Sequence, residues 1–234
     1  MEKPLQRVFF AEVATIFFRM LTDESRSALW SQSNRYSDVQ PDLWCNAAIS
    51  TMTRAGVIKG FEDGTFRPNA PITRAQFATI AARFFEVTYE GNDKFTDIAG
   101  HWAKDYINKA AEAALINGYS DGTFRPNQNI TRAQAMTIFN RVLGRAPEKN
   151  HLLPGAMITW PDNMNTSAWY YADVQEATNS HEYDIEYNAA GEPYEVWTKP
   201  LPVRDWAAFE TEWATVNSAA NPGEVISVPV NVKQ

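Results

Sequence analysis

Apolar side chains recur every three or four residues along much of the chain, as they do on one face of an α-helix. The stretch Trp102–Leu115 shows this spacing, and Gly118 follows it in the place of a helix C-cap. A second apolar face follows Thr131. Between the two, Asp121 and Gly122 mark a tight turn that needs positive φ. The pattern therefore predicts a helix, a turn and a second helix.

The same pattern occurs twice, 58 residues apart. GFEDGTFRPNAPITRAQ, which starts at Gly60, recurs as GYSDGTFRPNQNITRAQ, which starts at Gly118. An internal repeat of this kind indicates a protein built from similar structural units. Thr73 and Thr131 each precede Arg-Ala-Gln, a capping-box pattern, so both second helices are predicted to begin at a threonine.

Two whole units, 36–86 and 95–145, are flanked by two partial ones. Residues 5–22 match only a second helix, and residues 160–183 match only a lead-in and a first helix. Because a short repeat cannot bury its apolar face alone, we expect the two halves to meet and close a third unit. The predicted fold is mainly α, a pseudo-threefold helical bundle.

The repeat pattern stops at a C-terminal extension, residues 184–234. Within the extension, residues 204–216 have the apolar spacing of one more amphipathic helix. Residues 194–198 predict either a short strand or an extended strap. The extension either packs on the bundle or connects it to another protein.

The composition is that of an ordinary soluble globular protein, with 44% hydrophobic and 21% charged residues. A net charge of −7 would repel a phosphodiester backbone, which argues against nucleic acid as a partner. Cys45 is the only cysteine, which rules out an intramolecular disulfide and cysteine-based metal sites. His101, His151 and His181 show no ligand-like spacing. No apolar run is long enough to span a bilayer, and the first residues predict an amphipathic helix instead of a signal-peptide core.

Catalysis is not expected from these residues. Asp63 and Asp121 occupy equivalent places in separate repeats, whereas a glycosidase needs two carboxylates in different environments at one bond. No Gly-x-Ser-x-Gly motif occurs, and Cys45 beside Trp44 is typical of a small buried hydrophobe. The alternating acids and closing glutamate of an EF-hand are absent around Asp63. We therefore expect no enzyme, no cofactor and no metal site.

Several segments resemble the S-layer homology domain, namely 95–97, 101–102, 118–127 and 130–134, and residues 36–76 repeat the likeness. The resemblance implies units that occur in threes and fold as a three-pronged helical spindle. It also implies that the units hold a bacterial surface protein to a pyruvylated secondary cell-wall polymer in the grooves between them. In that family, an arginine after the capping threonine contacts the acid group of the ligand.

Arg74 and Arg132 match that arginine. Backbone N–H groups at a helix start and a guanidinium together suit a carboxylate, so both residues are predicted to contact the ligand, unless they pair with the turn acids. The glutamate of the family pattern is glutamine in both repeats, which keeps the cap but removes a carboxylate. In the N-terminal partial unit, Phe9 and Phe10 take the places of the threonine and the arginine, so we expect a nonfunctional groove beside Phe10.

The full set of predicted ligand-binding residues comprises Arg74, Arg132, Asp63, Asp121, Gly64, Gly122, Trp102 and Trp160. Tryptophan rings can lie against sugars, although at the first turn of a helix they more often anchor the core. The expectation is a monomeric, extracellular module of the bacterial cell surface that binds an anionic cell-wall polysaccharide. The alternatives are a protein-interaction scaffold with degenerate grooves and, less favoured, a wall-lytic enzyme.

Overall fold

The computed structural model describes residues 1–7, 35–43, 45–54, 56–84 and 88–203. The helices are α1 (Asn46–Arg54), α2 (Arg74–Phe84), α3 (Lys104–Glu112), α4 (Arg132–Val142) and α5 (Tyr171–Thr178), with a short 3₁₀ helix at Lys149–His151. Two antiparallel strands follow, β1 (His181–Tyr187) and β2 (Pro193–Pro200). This part of the chain is helix-rich with one small sheet. None of the helices in these ranges is both long and apolar enough to cross a bilayer.

Capping boxes start the second helix of each whole repeat. At α4, the Thr131 hydroxyl accepts a hydrogen bond from the Gln134 amide, and the Gln134 side chain accepts one from the Thr131 amide. At α2, Thr73 and Gln76 exchange the same two bonds at 3.2 and 3.1 Å. The prediction that each of these helices begins at a threonine cap is confirmed.

The glycines of the turn meet two different requirements. Gly64 and Gly122 both have φ of +79°, which confirms the predicted positive-φ turn. The prediction that Gly118 caps the first helix is wrong, because α3 ends at Glu112 with Ala113 as its C-cap, and Ala114 follows with φ of +55°. Gly118 allows a close approach: a Cβ there would lie 2.3 Å from the ring of Phe95.

Three short segments join in a closed set of backbone hydrogen bonds. Leu5 donates to the carbonyl of Ile130 at 3.0 Å, Ile130 donates to that of Ile72 at 3.0 Å, and Ile72 donates to that of Leu5 at 2.9 Å. Ile72 and Ile130 are both 1% exposed. The set therefore ties the N-terminal segment to both whole repeats inside the core.

The N-terminal segment aligns with the repeats three residues earlier than the sequence predicts. The Arg7 amide donates to the carbonyl of Ala70 at 3.0 Å, and the Arg74 amide makes the corresponding bond one repeat further on. Arg7, and not Phe10, takes the place of Arg74, so the predicted alignment is wrong. Phe9 and Phe10 themselves lie outside the described residues.

One apolar core runs through both whole repeats. Its largest fully buried side chains include Phe66, Phe77 and Phe124. Cys45 lies in the same core and is fully buried, as expected for a small hydrophobe. The turns and second helices are therefore held against a common interior.

The C-terminal hairpin consists of β1 and β2. Its strand β2 packs against α5 and the 3₁₀ helix. Residues 194–198 lie within β2, which confirms the strand alternative. Alternation along β2 buries Glu195 and Trp197, whereas every residue of β1 after His181 is exposed. The predicted helix at 204–216 lies outside the described residues.

Candidate ligand-binding groove

A groove of about 630 Å³ opens between the first whole repeat and the start of the second. One wall is the turn of the first repeat, another is α2, and Trp102 contributes from the next repeat. The lining residues are Arg7, Ile58, Lys59, Gly60, Phe61, Glu62, Asp63, Phe66, Arg67, Ile72, Gln76, Thr79, Ile80, Arg83 and Trp102. Of the predicted site residues, this groove brings together Asp63 and Trp102.

Arg7 lines the groove as a buried cation. Its Nε donates to the carbonyl of Phe66 at 2.7 Å, and its Nη2 donates to that of Lys59 at 3.0 Å. Its guanidinium lies over the rings of Phe66 and Phe61, at 4.5 and 4.8 Å from their centroids. Burial lowers the pKa of Arg7 to about 10. Among the described residues, no carboxylate lies within ion-pair distance of it.

Arg74 repeats this arrangement in the next unit. Its Nε donates to the carbonyl of Phe124 at 2.7 Å, and its Nη2 donates to that of Asn117 at 3.0 Å. The rings of Phe124 and Tyr119 lie 4.5 and 4.9 Å from the guanidinium. Arg74 is 6% exposed, and burial lowers its pKa. Arg74 is therefore buried, and its charge has no carboxylate partner in the part of the chain that the structure describes.

Arg132 differs from the other two arginines. It stands at the first position of α4 and is exposed. Its backbone amide donates to the carbonyl of Lys3 at 3.0 Å, which corresponds to the backbone bonds of Arg7 and Arg74. Its guanidinium makes no hydrogen bond to any described residue. Arg132 therefore shares the backbone position of the repeat but not the buried guanidinium.

The turn acids pair with arginines of their own turn. Asp63 accepts from the Thr65 hydroxyl at 2.6 Å and from Arg67 at 2.7 Å. The Thr65 hydroxyl and Arg67 lower the pKa of Asp63 to about 2. Asp121 has the same two partner types in its own turn, and its pKa is also lowered to about 2. The alternative in which these acids neutralise Arg74 and Arg132 is wrong.

Two further acids clamp the turns, and sequence reasoning missed them. Asp38 accepts from the amides of Phe66 and Arg67, both at 2.7 Å. Asp97 makes the same pair of bonds at 2.7 Å in the second repeat. The clamps position the phenylalanine carbonyls that receive Arg7 and Arg74. The recurrence of an aspartate in the similar strings YSDV (36–39) and FTDI (95–98) could have identified both acids.

The segments that form the turns and the threonine caps match the sequence pattern of a known family. The model of the S-layer homology domain matches residues 35–78 and 94–136. The chain carries two S-layer homology domains. These SLH matches contain both turns, both clamping acids and the whole of the first helical segment of each repeat.

Proteins similar in sequence to this chain include bacterial surface proteins. Cell surface glycoprotein 1 of Acetivibrio thermocellus is 37% identical over 197 residues, which is 79% of this chain and 8% of the relative. The cellulosome-anchoring protein of the same organism is 36% identical over 192 residues, 80% of this chain and 42% of the relative. An amylopullulanase of Thermoanaerobacterium thermosulfurigenes is 31% identical over 153 residues, 62% of this chain and 8% of the relative. The chain thus spans less than half the length of these relatives.

Two of three exposed tryptophans occupy equivalent positions in their SLH units, and the third does not. Trp102 precedes the N-cap of α3 and is 63% exposed. Trp169 precedes the N-cap of α5 in the same way and is 61% exposed. Trp160 lies in the lead-in, 37% exposed, and its Nε1 donates to the Thr178 hydroxyl at 2.9 Å. Trp169, and not Trp160, is therefore the structural counterpart of Trp102.

Basic residues dominate the SLH groove. It is lined by four basic and two acidic side chains, in a chain whose net charge is −7. Arg67 and Asp63 pair with each other, so Arg7, Lys59 and Arg83 outnumber the remaining acid. Lys59 and Arg83 were not predicted. Arg83 recurs as an arginine 58 residues later, and this recurrence could have identified it.

A second cluster of ionisable residues lies beneath the hairpin. Ligand atoms of Glu176, His181 and Glu195 all lie within 4.8 Å of one another, as they would around a metal ion. The Nη2 of Arg145 already lies 2.6 Å from a Glu176 oxygen, 2.8 Å from a Glu195 oxygen and 2.8 Å from His181 Nε2. The position where an ion would bind is thus taken by a guanidinium nitrogen, and the cluster is a closed ionic network.

Proposed function

We propose that this chain anchors a bacterial surface protein to the cell wall by binding an anionic polysaccharide, with a pyruvylated amino-sugar polymer as the expected ligand. It would act outside the cell, at the wall, as a monomer. The observation that carries the proposal is the pair Arg7 and Arg74. Both are buried cations that no carboxylate of the described chain neutralises.

A buried charge is costly unless an opposite charge or a set of hydrogen bonds compensates for it. Two carbonyls and two aromatic rings compensate Arg7 in part and leave its net positive charge in place. Its Nη1 makes no hydrogen bond to a described residue. A carboxylate or phosphate on a sugar in the groove would supply the missing negative charge, and the rigid guanidinium would orient it.

The rest of the groove suits a sugar bearing such an acid. Trp102 offers an exposed ring at the edge of the groove, and rings of this kind bury the apolar face of a partner. Lys59 and Arg83 add positive charge without adding a matching acid. The groove would therefore attract a polyanion and bind one of its sugar units against the tryptophan.

We infer that the closed set of bonds among Leu5, Ile72 and Ile130 marks a pseudo-threefold axis. The three residues occupy equivalent positions, and each donates to the next in turn. Arg7 and Arg74 follow two of them and reach across to the turn of the next unit. A three-pronged spindle in which grooves recur between units agrees with this arrangement.

A binding role without catalysis agrees with the acids of the groove. Asp63 has a pKa of about 2, because Thr65 and Arg67 hydrogen-bond to its charged form. Such a carboxyl carries no proton at neutral pH and cannot act as a general acid. Its counterpart Asp121 has the same environment, so the pair lacks the asymmetry of a glycosidase.

Sedimentation with purified cell walls tests the proposal. The protein is mixed with sacculi from Acetivibrio thermocellus, before and after acid treatment that strips the wall polymer. We expect pelleting with native sacculi and its loss with stripped ones. The double variant Arg7→Gln with Arg74→Gln should pellet at least tenfold less, because a charge-assisted hydrogen bond contributes about 1.5–3 kcal/mol.

Two controls separate binding from folding. Lys59→Gln with Arg83→Gln removes charge at the groove surface without touching the two carbonyl-bound arginines, and it should also weaken pelleting. Arg35→Gln, which removes an exposed arginine outside the groove, should not. Equal pelleting by the wild type and both double variants would contradict the proposal.

A protein-interaction scaffold is the second candidate, because β1 leaves apolar side chains exposed. Tyr183, Ile185 and Tyr187 share one face of this strand and are 40%, 44% and 68% exposed. If this face is the functional one, replacing all three with serine abolishes partner binding and leaves wall binding unchanged. Loss of wall binding in the groove variants alone supports the first candidate.

A further inference from the structure

Four ionisable side chains from separate parts of the chain meet beneath the hairpin. Arg145 follows α4, Glu176 lies on α5, His181 begins β1, and Glu195 lies on β2. The side chains of Glu176 and His181 are 2% exposed, and that of Glu195 is 0% exposed. These groups connect the hairpin to the helical part of the molecule, and the proposed wall binding uses none of them.

Arg145 is the centre of the cluster. It makes a bidentate pair with Glu195 at 2.7 and 2.8 Å and an ion pair with Glu176 at 2.6 Å. The Ala146 amide also donates to Glu195, at 3.1 Å. Tyr183 of β1 lies over the guanidinium, 4.2 Å from its ring centroid. One cation and two carboxylates leave a net charge of −1 unless His181 is protonated.

His181 is the group that can change this balance. Its Nδ1 lies 2.9 Å from the carbonyl of Asn179, so Nδ1 carries a proton. Its Nε2 lies 3.3 Å from a Glu176 oxygen, 3.6 Å from a Glu195 oxygen and 2.8 Å from Arg145. A neutral Nε2 accepts from Arg145 at the 2.8 Å of this structure, whereas a protonated Nε2 moves away from that nitrogen and donates to the Glu176 or Glu195 carboxylate. The imidazole can therefore form two different sets of hydrogen bonds, depending on its charge.

Trp197 connects the state of His181 to the hairpin. Its ring stacks on the imidazole at 3.7 Å between centroids, and its Nε1 donates to Glu176 at 3.1 Å. Trp197 is the buried anchor of β2. A change of charge at the imidazole acts directly on this stack, because a cation over an aromatic face is attracted and a neutral ring is attracted less.

We propose that this cluster is a pH-sensitive latch, which holds the hairpin against α5 while His181 is protonated and loosens when alkaline solution removes that proton. Loss of the proton leaves a buried carboxylate uncompensated and weakens the stack under Trp197.

The pH range follows from the direction of the shift. Burial by itself would lower the pKa of His181, but Glu176 and Glu195 raise it to about 9 from an ordinary value of 6.5. A raised pKa in the folded state gives stability that is complete below pH 6.5 and is lost as the pH rises toward 9. The latch therefore weakens between neutral and moderately alkaline pH.

Hydrogen exchange of the hairpin amides tests the latch. Protection factors of β1 and β2 are measured at pH 6 and pH 9, after correction for the intrinsic exchange rate, with α4 as the internal reference. We expect hairpin protection to fall about tenfold or more while that of α4 stays constant. An NMR titration should place the His181 imidazole above pH 8. A midpoint at or below 6.5, or pH-independent protection, overturns the proposal.

Two variants complete the test. His181→Gln cannot titrate, so its hairpin protection should not depend on pH, whereas His101→Gln, which lies before α3 and contacts Asn127 instead of the hairpin, should behave like the wild type. Retained pH dependence in His181→Gln overturns the proposal. If that variant fails to fold, Glu176→Gln keeps the imidazole and removes a carboxylate, and an unchanged His181 midpoint then overturns the proposal.

Discussion

Arg7 and Arg74 lie in different repeats but donate the same two hydrogen bonds, each at 2.7 Å through Nε and 3.0 Å through Nη2, to backbone carbonyls of the following turn. Aromatic rings cover both guanidinium groups. A carbonyl is a weaker partner for a buried cation than a carboxylate is. Each arginine therefore joins two units of the fold and keeps a positive charge beside the surface.

Replacing Arg74 with lysine should separate its two roles. Arg74→Lys keeps the charge, but one ammonium cannot reproduce the guanidinium fork and leaves a buried carbonyl without its donor. We expect a loss of about 1–3 kcal/mol in the free energy of unfolding, measured by urea denaturation. The exposed Arg132 provides the matched control, since Arg132→Lys should change stability by less than about 0.5 kcal/mol. Equal losses in both variants would argue against a structural role for the buried fork.

Much of the repeat could be predicted from the sequence because its signals are local. The threonine caps depend on residues three positions apart, and the positive-φ turn depends on Gly64 and Gly122. Both features reappear in the structure as the sequence predicts. The interactions lie within one turn or one helix start, where a short string of residues decides the geometry.

The positions of the arginines could not be predicted in the same way. Arg74 bonds to carbonyls 43 and 50 residues away, and no local pattern shows that the chain brings them together. Arg7 was missed because the apolar run after it aligns as well in another register. The exposed strand β1 was missed because its alternation of acids with Tyr183 and Ile185 lies at the end of a repeat.

Trp102 and Trp169 should respond differently to truncation, although they are equally exposed. Trp102 lines the groove, and Trp169 does not. Trp102→Ala is expected to weaken pelleting with sacculi about fivefold to tenfold, in line with the energy of an aromatic contact. Trp169→Ala should have a smaller effect, and neither should move the melting temperature far, since both rings are mainly in solvent. Equal binding losses would mean that exposure alone, and not the groove, decides the contribution.

The clamping acids should be important for stability in both repeats. Asp97→Asn keeps one acceptor but removes the charge that receives the amides of Phe124 and Arg125. We expect a loss of about 1–2 kcal/mol in thermal or urea unfolding, and a similar loss for Asp38→Asn. Asp184→Asn, on exposed β1, should be close to neutral. A neutral Asp97→Asn would show that the turn holds its shape without the clamp.

Acid should weaken the turns in a defined pH range. Asp63 and Asp121 have a pKa of about 2 in the folded protein and an ordinary value of 3.8. A lowered pKa gives stability that is present above pH 3.8 and is lost as the pH falls toward 2. Melting temperatures from pH 5 to pH 2 should fall less steeply in the variant Asp63→Asn with Asp121→Asn. Parallel curves for the variant and the wild type would contradict these shifts.

The ends of the two first helices offer a test of backbone strain within one molecule. Gly56 and Ala114 each lie two residues beyond the last residue of α1 and α3, with φ of +73° and +55°, and their amides donate to the carbonyls of Thr53 and Ala111, both at 3.1 Å. A Cβ at Gly56 would meet no atom within 4 Å, so only the backbone conformation separates the two sites. We expect Ala114→Gly to stabilise the protein by about 0.5–1 kcal/mol, because glycine adopts positive φ without strain. Gly56→Ala should destabilise it by a similar amount in urea unfolding. If both substitutions destabilise, the side chain of Ala114 contributes packing that outweighs the strain at its backbone.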